Sequence, residues 1–266
     1  MERKKLYKIL EIPEEVVLEL EEYEQREQKK FPVDMKRLYS DRKYRDELHE
    51  HIQAFVGEDT KGFGMLWEEL NIASRTYDEY EKMGIDETIF IDTMKFCTRF
   101  LHEHKKNQGD FRFVWGWWFP RQLAMDEFRI GSLEFEKTES MISIHIPGDA
   151  DLSPDAVQKS IASFRTFCET YFPSWCGLPL HCESWLLSPV LKELLDEHSN
   201  IIQFQNLFEV EQTDYDSMAV LDWVFPGYRE VTEVLPEKTS LQKKMKNYLL
   251  AGNKVGWSTG TISNSK

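Results

Sequence analysis

The feature that most limits what this chain can fold into is a change of hydrophobic period close to Gly109. Before it, only helical spacing occurs. Pro13 and Glu14 open a charged helix running toward Lys30, and a second amphipathic stretch covers Asp41 to Phe55. From Phe63, the positions Leu66, Leu70, Ile72 and Tyr77 mark a further helix that Gly84 halts. The next places Ile89, Phe90, Thr93, Phe96, Cys97 and Phe100 along one broad apolar face, and HEHKKNQG closes it with basic residues and a glycine. After Gly109 the segments FRFVWGWWF, FRIGSLEFE, MISIHIP, LHCESWLL and NIIQFQNLF read as strands rich in aromatic and branched residues. The expected architecture is therefore α+β or α/β, with a helical N-terminal domain over 1–108 and a mixed-sheet domain over 109–266.

Within the second half, Phe128 to Phe172 delivers two strands and a loop into a helix. Ser153 is a good N-cap, Pro154 and Asp155 follow it, and Val157, Ile161, Phe164, Cys168 and Tyr171 keep helical spacing until Pro173. A strand, a loop and a helix N-terminus in succession form an arrangement that holds anionic groups in many folds. A shorter helix is expected after Ser188 and Pro189. A last one follows Thr239, with Leu241, Met245, Tyr248 and Leu249 facing inward before Gly252. No internal repeat is present, and the polar tail STGTISNSK is the one low-complexity tract.

Strand parity places individual side chains. In MISIHIP, Ile142, Ile144 and Ile146 share a face and leave Ser143 and His145 on the other. In FRIGSLEFE the apolar parity slips by one residue around Gly131, the mark of a β-bulge. With KTES as the hairpin loop, Leu133 and Phe135 lie beside the isoleucines, so Glu134 shares a surface with Ser143 and His145. That surface reads either as the solvated face of a hairpin or as a carboxylate and imidazole set for acid–base chemistry. His181 and Glu183 fall on one face of their strand and Cys182 on the other, which argues against a Cys–His pair and for Cys182 as a small buried hydrophobe. Glu183 is usable for acid–base work if it faces a cleft. His102 and His104 are two residues apart on a helix and do not share a face, so no metal is expected. Trp115, Trp117, Trp118 and Trp185 are mostly core, with one or two able to stack on a flat ligand.

The 266 residues carry a net charge of −14, which opposes any broad attraction to nucleic acid or anionic lipid. No apolar run is long enough to span a bilayer, and MERKKLYKILEIPEE has no apolar stretch behind its charges. Four cysteines, Cys97, Cys168, Cys176 and Cys182, lack paired spacing. A reduced cytoplasmic protein, monomeric or homodimeric, is expected.

Five segments carry a family resemblance: Gly131 to Glu136, Ile144 to Pro147, Cys182 to Pro189, Ser199 to Gln205 and Thr239 to Gln242. Together they resemble the acyltransferase-domain proteins, which pair a helical N-terminal domain with a GNAT-like C-terminal domain. The resemblance covers most of residues 110–260. It implies transfer of an acyl group from acetyl-CoA or another acyl-CoA to an amine of a small-molecule acceptor, by direct attack. It also implies a general base, with Glu134, His145 and Glu183 as the candidates, and a pyrophosphate site around Ile146, Gly148, Ser153 and Asp155. The glycine-rich arginine or glutamine signature of that superfamily is absent here, and Asp149 and Asp151 stand in its place. Carboxylates beside a pyrophosphate repel it, so the alternative is a GNAT-derived ligand-binding or interaction protein without catalysis.

Overall fold

The structure, a computed structural model, describes residues 1–27 and 29–262. The chain forms two compact units, Met1–Ile130 and Gly131–Lys266. The first contains α1 (Arg3–Ile9), α2 (Glu14–Arg26), α3 (Met35–Ser40), α4 (Arg42–Val56), α5 (Phe63–Met83), α6 (Glu87–Met94), α7 (Phe96–Gln108), the single turn α8 (Pro120–Leu123) and strand β1 (Glu127–Ile130). Carboxylates start several of these helices. Asp34, Asp41 and Asp86 each accept a backbone N–H of the first turn, satisfying donors that a helix leaves unpaired. The long α5 runs through the centre of the unit, with Leu66, Trp67, Leu70, Ala73 and Tyr80 almost fully buried. Each large apolar side chain sealed in this way contributes about 1.5–3 kcal/mol.

Two expectations for this unit change. The apolar face from Ile89 to Phe100 belongs to two helices, α6 and α7, separated at Lys95. FRFVWGWWF is not a strand. Its aromatic residues pack as a cluster, with Phe100 against Trp115 at 4.4 Å and Phe96 stacked on Phe119 at 5.5 Å. The preference of such residues for strands reflects fit to a half-buried surface, and here a helix face supplies that surface.

The second unit contains β2 (Leu133–Lys137), β3 (Ile142–His145), α9 (Pro154–Tyr171), β4 (Leu180–Ser184), α10 (Leu191–Leu194), α11 (Asn200–Gln205), β5 (Phe208–Asp214), α12 (Ala219–Val224), α13 (Ser240–Leu250) and β6 (Trp257–Ile262). Its strands run in the order β2-β3-β4-β6-β5. All neighbours are antiparallel except β3 and β4, which are parallel and joined through α9. Such a crossover needs a helix-length connection. On one face Phe135 of β2 stacks on Phe164 of α9 at 4.1 Å, beside the fully buried Leu133, Ile142 and Ile144. A second apolar cluster joins Leu191, Ile202, Val220, Leu221, Phe225 and Leu249.

Three further expectations are corrected here. The parity slip at Gly131 is a turn between β1 and β2, not a bulge within one strand. Gly131 has φ 66°, and a Cβ there would stand 2.5 Å from Ser160 Oγ, whose oxygen accepts the Ser132 N–H. NIIQFQNLF does not form one strand, because Ser199 Oγ caps the amide of Ile202 and turns Asn200–Gln205 into α11; β5 starts only at Phe208. The polar tail supplies β6, an inner strand between β4 and β5. Residues 263–266 of that tail lie outside the described residues. Among the described residues, no helix is long and apolar enough to cross a membrane.

Candidate functional site

The parallel pair sets the geometry of the site. β3 and β4 are in register only at Ile142 with Leu180 and Ser143 with His181. Among the described residues no further pair joins the two strands, so the ladder is open toward their C-terminal ends, the side of a parallel sheet on which crevices form. β3 leads from that opening through the loop Ile146–Ser153 into α9, an 18-residue helix.

The N-terminus of α9 differs from the sequence expectation. Ser153 occupies the N-cap position, but its side chain makes no capping bond. Asp151 Oδ1 instead accepts the Ser153 N–H at 2.8 Å, which turns this carboxylate onto its own loop. Pro154 has no N–H, and Val157 N–H bonds the Ser153 carbonyl. The amides of Asp155 and Ala156 meet no acceptor among the described residues, and two such donors at the positive end of a long helix suit an anion. The surroundings of Gly148 are open, with nothing within 4 Å of where its Cβ would lie. Beside Pro154 a groove of about 70 Å³ runs between α9 and α11, lined by Leu152, Val157, Gln158, Gln203 and Phe204.

The polar face of the sheet collects the other candidates. Glu134 is the direct partner of His145, and Glu136 of Ser143. The register therefore puts Glu134, Ser143 and His145 on one surface, but that surface is not solvated: Glu134 and Glu136 are each only 6% exposed. The carboxylate that reaches the imidazole is Glu136, with Oε2 3.1 Å from His145 Nε2. Parity in the sequence indicated this face; the choice between the two carboxylates depends on side-chain reach.

β4 continues the same face. His181 is nearly buried and Glu183 is exposed, and Nε2 of His181 lies 3.5 Å from Glu183 Oε1. His181 Nδ1 meets Thr261 Oγ1 of β6 at 3.2 Å. Cys182 points to the opposite face and is fully buried, which pushes its thiol above the ordinary value and keeps it a neutral thiol. His145 and Glu183 thus project from the C-terminal ends of adjacent parallel strands, on one side of the sheet. His181 and Glu136 are partners that sequence reasoning did not assign, and Thr261 lay in a tail not read as structure.

His104 bonds the Asp110 carbonyl at 2.9 Å. Of the tryptophans, Trp117 is 47% exposed and stacks on Trp115 at 5.4 Å, whereas the Trp118 indole N–H is donated to Glu127.

Comparison with known proteins assigns a family to this geometry. The profile of the N-acyltransferase N-terminal domain matches residues 1–125, and that of the GNAT-like C-terminal domain matches residues 71–262. A search of curated proteins finds no match. Among solved structures, an acyltransferase mutant in complex with octanoyl-CoA is similar with TM-score 0.76 and 20% identity, over 98% of this chain and 87% of that one. An acyltransferase in complex with decanoyl-CoA and teicoplanin is similar with TM-score 0.71 and 19% identity, over 98% and 99% of the two chains. Those likenesses establish a shared fold, and the profile covering most of the chain places this protein in the family of GNAT-like C-terminal domain proteins.

Proposed function

We propose that the protein transfers an acyl group from an acyl-coenzyme A to a primary amine of a small-molecule acceptor. The observation that carries this reading is the α9 N-terminus: two amides without an acceptor, beside an open glycine loop and a groove, at the C-terminal opening of a parallel strand pair. A pyrophosphate is the anion such a site suits, with Ile146, Gly148, Ser153 and Asp155 around it. The acyl-CoA complexes of similarly folded acyltransferases support the same donor. Asp151 opposes anion binding less than its charge implies, since it is engaged with the Ser153 amide.

The polar face supports an amine as acceptor. Glu134, Glu136, Glu183 and Glu209 lie on it, and their carboxylates suit a basic group in the acceptor. The acceptor amine attacks the thioester carbonyl carbon, the C–N bond forms as the C–S bond breaks, and the amine proton passes to a base and on to the departing thiolate. Glu134, His145 and Glu183 are the bases this reading assigns. Four unpaired cysteines support a reducing, cytoplasmic setting.

The test is the thermal midpoint against coenzyme A, acetyl-CoA and octanoyl-CoA. A ligand at a hundred times its Kd adds about 2.7 kcal/mol to the native state, which shifts a chain of this size by roughly 5–10 °C. A saturable rise upholds the reading. No shift at millimolar ligand overturns it in favour of a non-catalytic binding protein.

A further inference from the structure

A chain of hydrogen bonds crosses three strands behind the proposed base. Thr261 of β6 donates its single hydroxyl proton to Glu211 Oε1 at 2.6 Å, the length of a charge-assisted O–H···O⁻ bond. Glu211 is available for this because it sits at the register shift of β5 between Val210 and Gln212. A bulge of this kind re-aims a side chain. With its proton committed, Thr261 Oγ1 has only lone pairs to offer His181 Nδ1, 3.2 Å away. Nδ1 must then carry the ring proton, because an unprotonated Nδ1 would set lone pair against lone pair.

We propose that Thr261 and Glu211 are positioning residues that hold His181 as its Nδ1–H tautomer, so that Nε2 is the basic nitrogen facing Glu183. The consequence is specific. Nε2 and Glu183 Oε1 are 3.5 Å apart, too far for a strong bond between them, and in this tautomer both are acceptors. Two facing acceptors select a donor with more than one N–H, which a primary amine has. The amine gives one proton to Nε2 as it attacks the thioester carbonyl carbon; the thiolate then takes that proton and leaves as the thiol. This assignment rests on the acyl-transfer reading, and it makes His181 with Glu183, rather than Glu183 alone, the acceptor's base.

The ring nitrogens of His181 report the tautomer directly through long-range 15N–1H correlations, with or without turnover. The neutral ring of His181 in the full-length protein is expected to show protonated Nδ1 and unprotonated Nε2. Glu211→Leu frees the Thr261 proton to point at Nδ1 and should convert His181 to the Nε2–H tautomer. Thr261→Val should give a mixture of both, and Thr261→Ser, which keeps the hydroxyl, should retain Nδ1–H. In parallel, thiol release from octanoyl-CoA with teicoplanin as the probe acceptor should fall at least tenfold in kcat for Glu211→Leu and stay close to the parent in Thr261→Ser, with the KM for octanoyl-CoA unchanged. An Nε2–H tautomer in the parent protein, or an unaltered tautomer in both Glu211→Leu and Thr261→Val, overturns the proposal. A converted tautomer with unchanged kcat would uphold the hydrogen-bond chain and overturn the role of His181 as base. No midpoint shift with any acyl-CoA would remove the acyl-transfer reading and leave the tautomer result standing.

Discussion

Two carboxylates, one in each unit, are held in opposite ways. Glu69 on α5 is 0% exposed, and among the described residues neither of its oxygens has a hydrogen-bond partner. Gly116 packs so close that a Cβ on it would lie 3.4 Å from Glu69 Oε2 and 2.6 Å from Met65 Cγ. Burial alone raises the pKa of Glu69 well above the ordinary 4.5, so it is a neutral acid held at a cost. Glu211, on the sheet of the second unit, takes a short bond from Thr261 and stays at the surface, where its charge is solvated. An acid without a partner lowers stability; a partnered acid on a polar face can direct a neighbour's proton at almost no cost.

The largest test of that contrast is Glu69→Met, which removes the unpaired group at nearly constant volume. It should raise unfolding free energy at pH 7 by about 1–3 kcal/mol in denaturant titration. The gain has a pH signature. The folded-state pKa of Glu69 is raised, so the unfolded chain loses this proton first and stability falls as pH rises above about 4.5. Below that value both states are protonated and the pH-dependent part of the gain disappears, leaving only the smaller cost of the buried neutral carboxyl. An equal gain at pH 4 and pH 7 would show that burial does not raise this carboxyl's pKa. Next in size is Thr261→Val, which breaks one hydrogen bond and should cost about 1 kcal/mol, measured in the same titration. The smallest effect belongs to Glu183→Gln on the exposed end of the pair, expected within about 0.5 kcal/mol of the parent. Under the proposed function the same substitution lowers turnover at least tenfold, and a loss of stability in place of turnover would erase the contrast.

How much was legible in the sequence followed the strength of periodicity. Val157, Phe164 and Cys168 gave α9 its position, and the alternation of Ile142 and Ile144 with Ser143 and His145 gave the register of β2 with β3. α11 was hidden because Ile201, Ile202 and Phe204 satisfy a strand pattern as well as a helical one, and a single cap from Ser199 decided between them. β6 was hidden for the reverse reason: Ser258, Thr259, Gly260 and Thr261 have no apolar alternation at all. Gly260 is small because a Cβ there would stand 2.9 Å from the Glu209 carbonyl of the adjoining strand. The family's fold and the polar face could be read from residues. The Glu136–His145 contact and the bulge that presents Glu211 could not, since both depend on side-chain direction rather than spacing.

The place of β6 has a consequence for biosynthesis. A strand formed by residues 257–262 separates β4 from β5, although β4 is made more than seventy residues earlier. While the chain emerges in order, the ladder groups of β4 and β5 that β6 will occupy stand unpaired, as open templates for another strand. Exposed Val210 and Tyr215 flank one of those edges. Newly made protein therefore passes through an interval in which self-association competes with completion of its own sheet, and its yield in cells should depend on how quickly the last strand arrives.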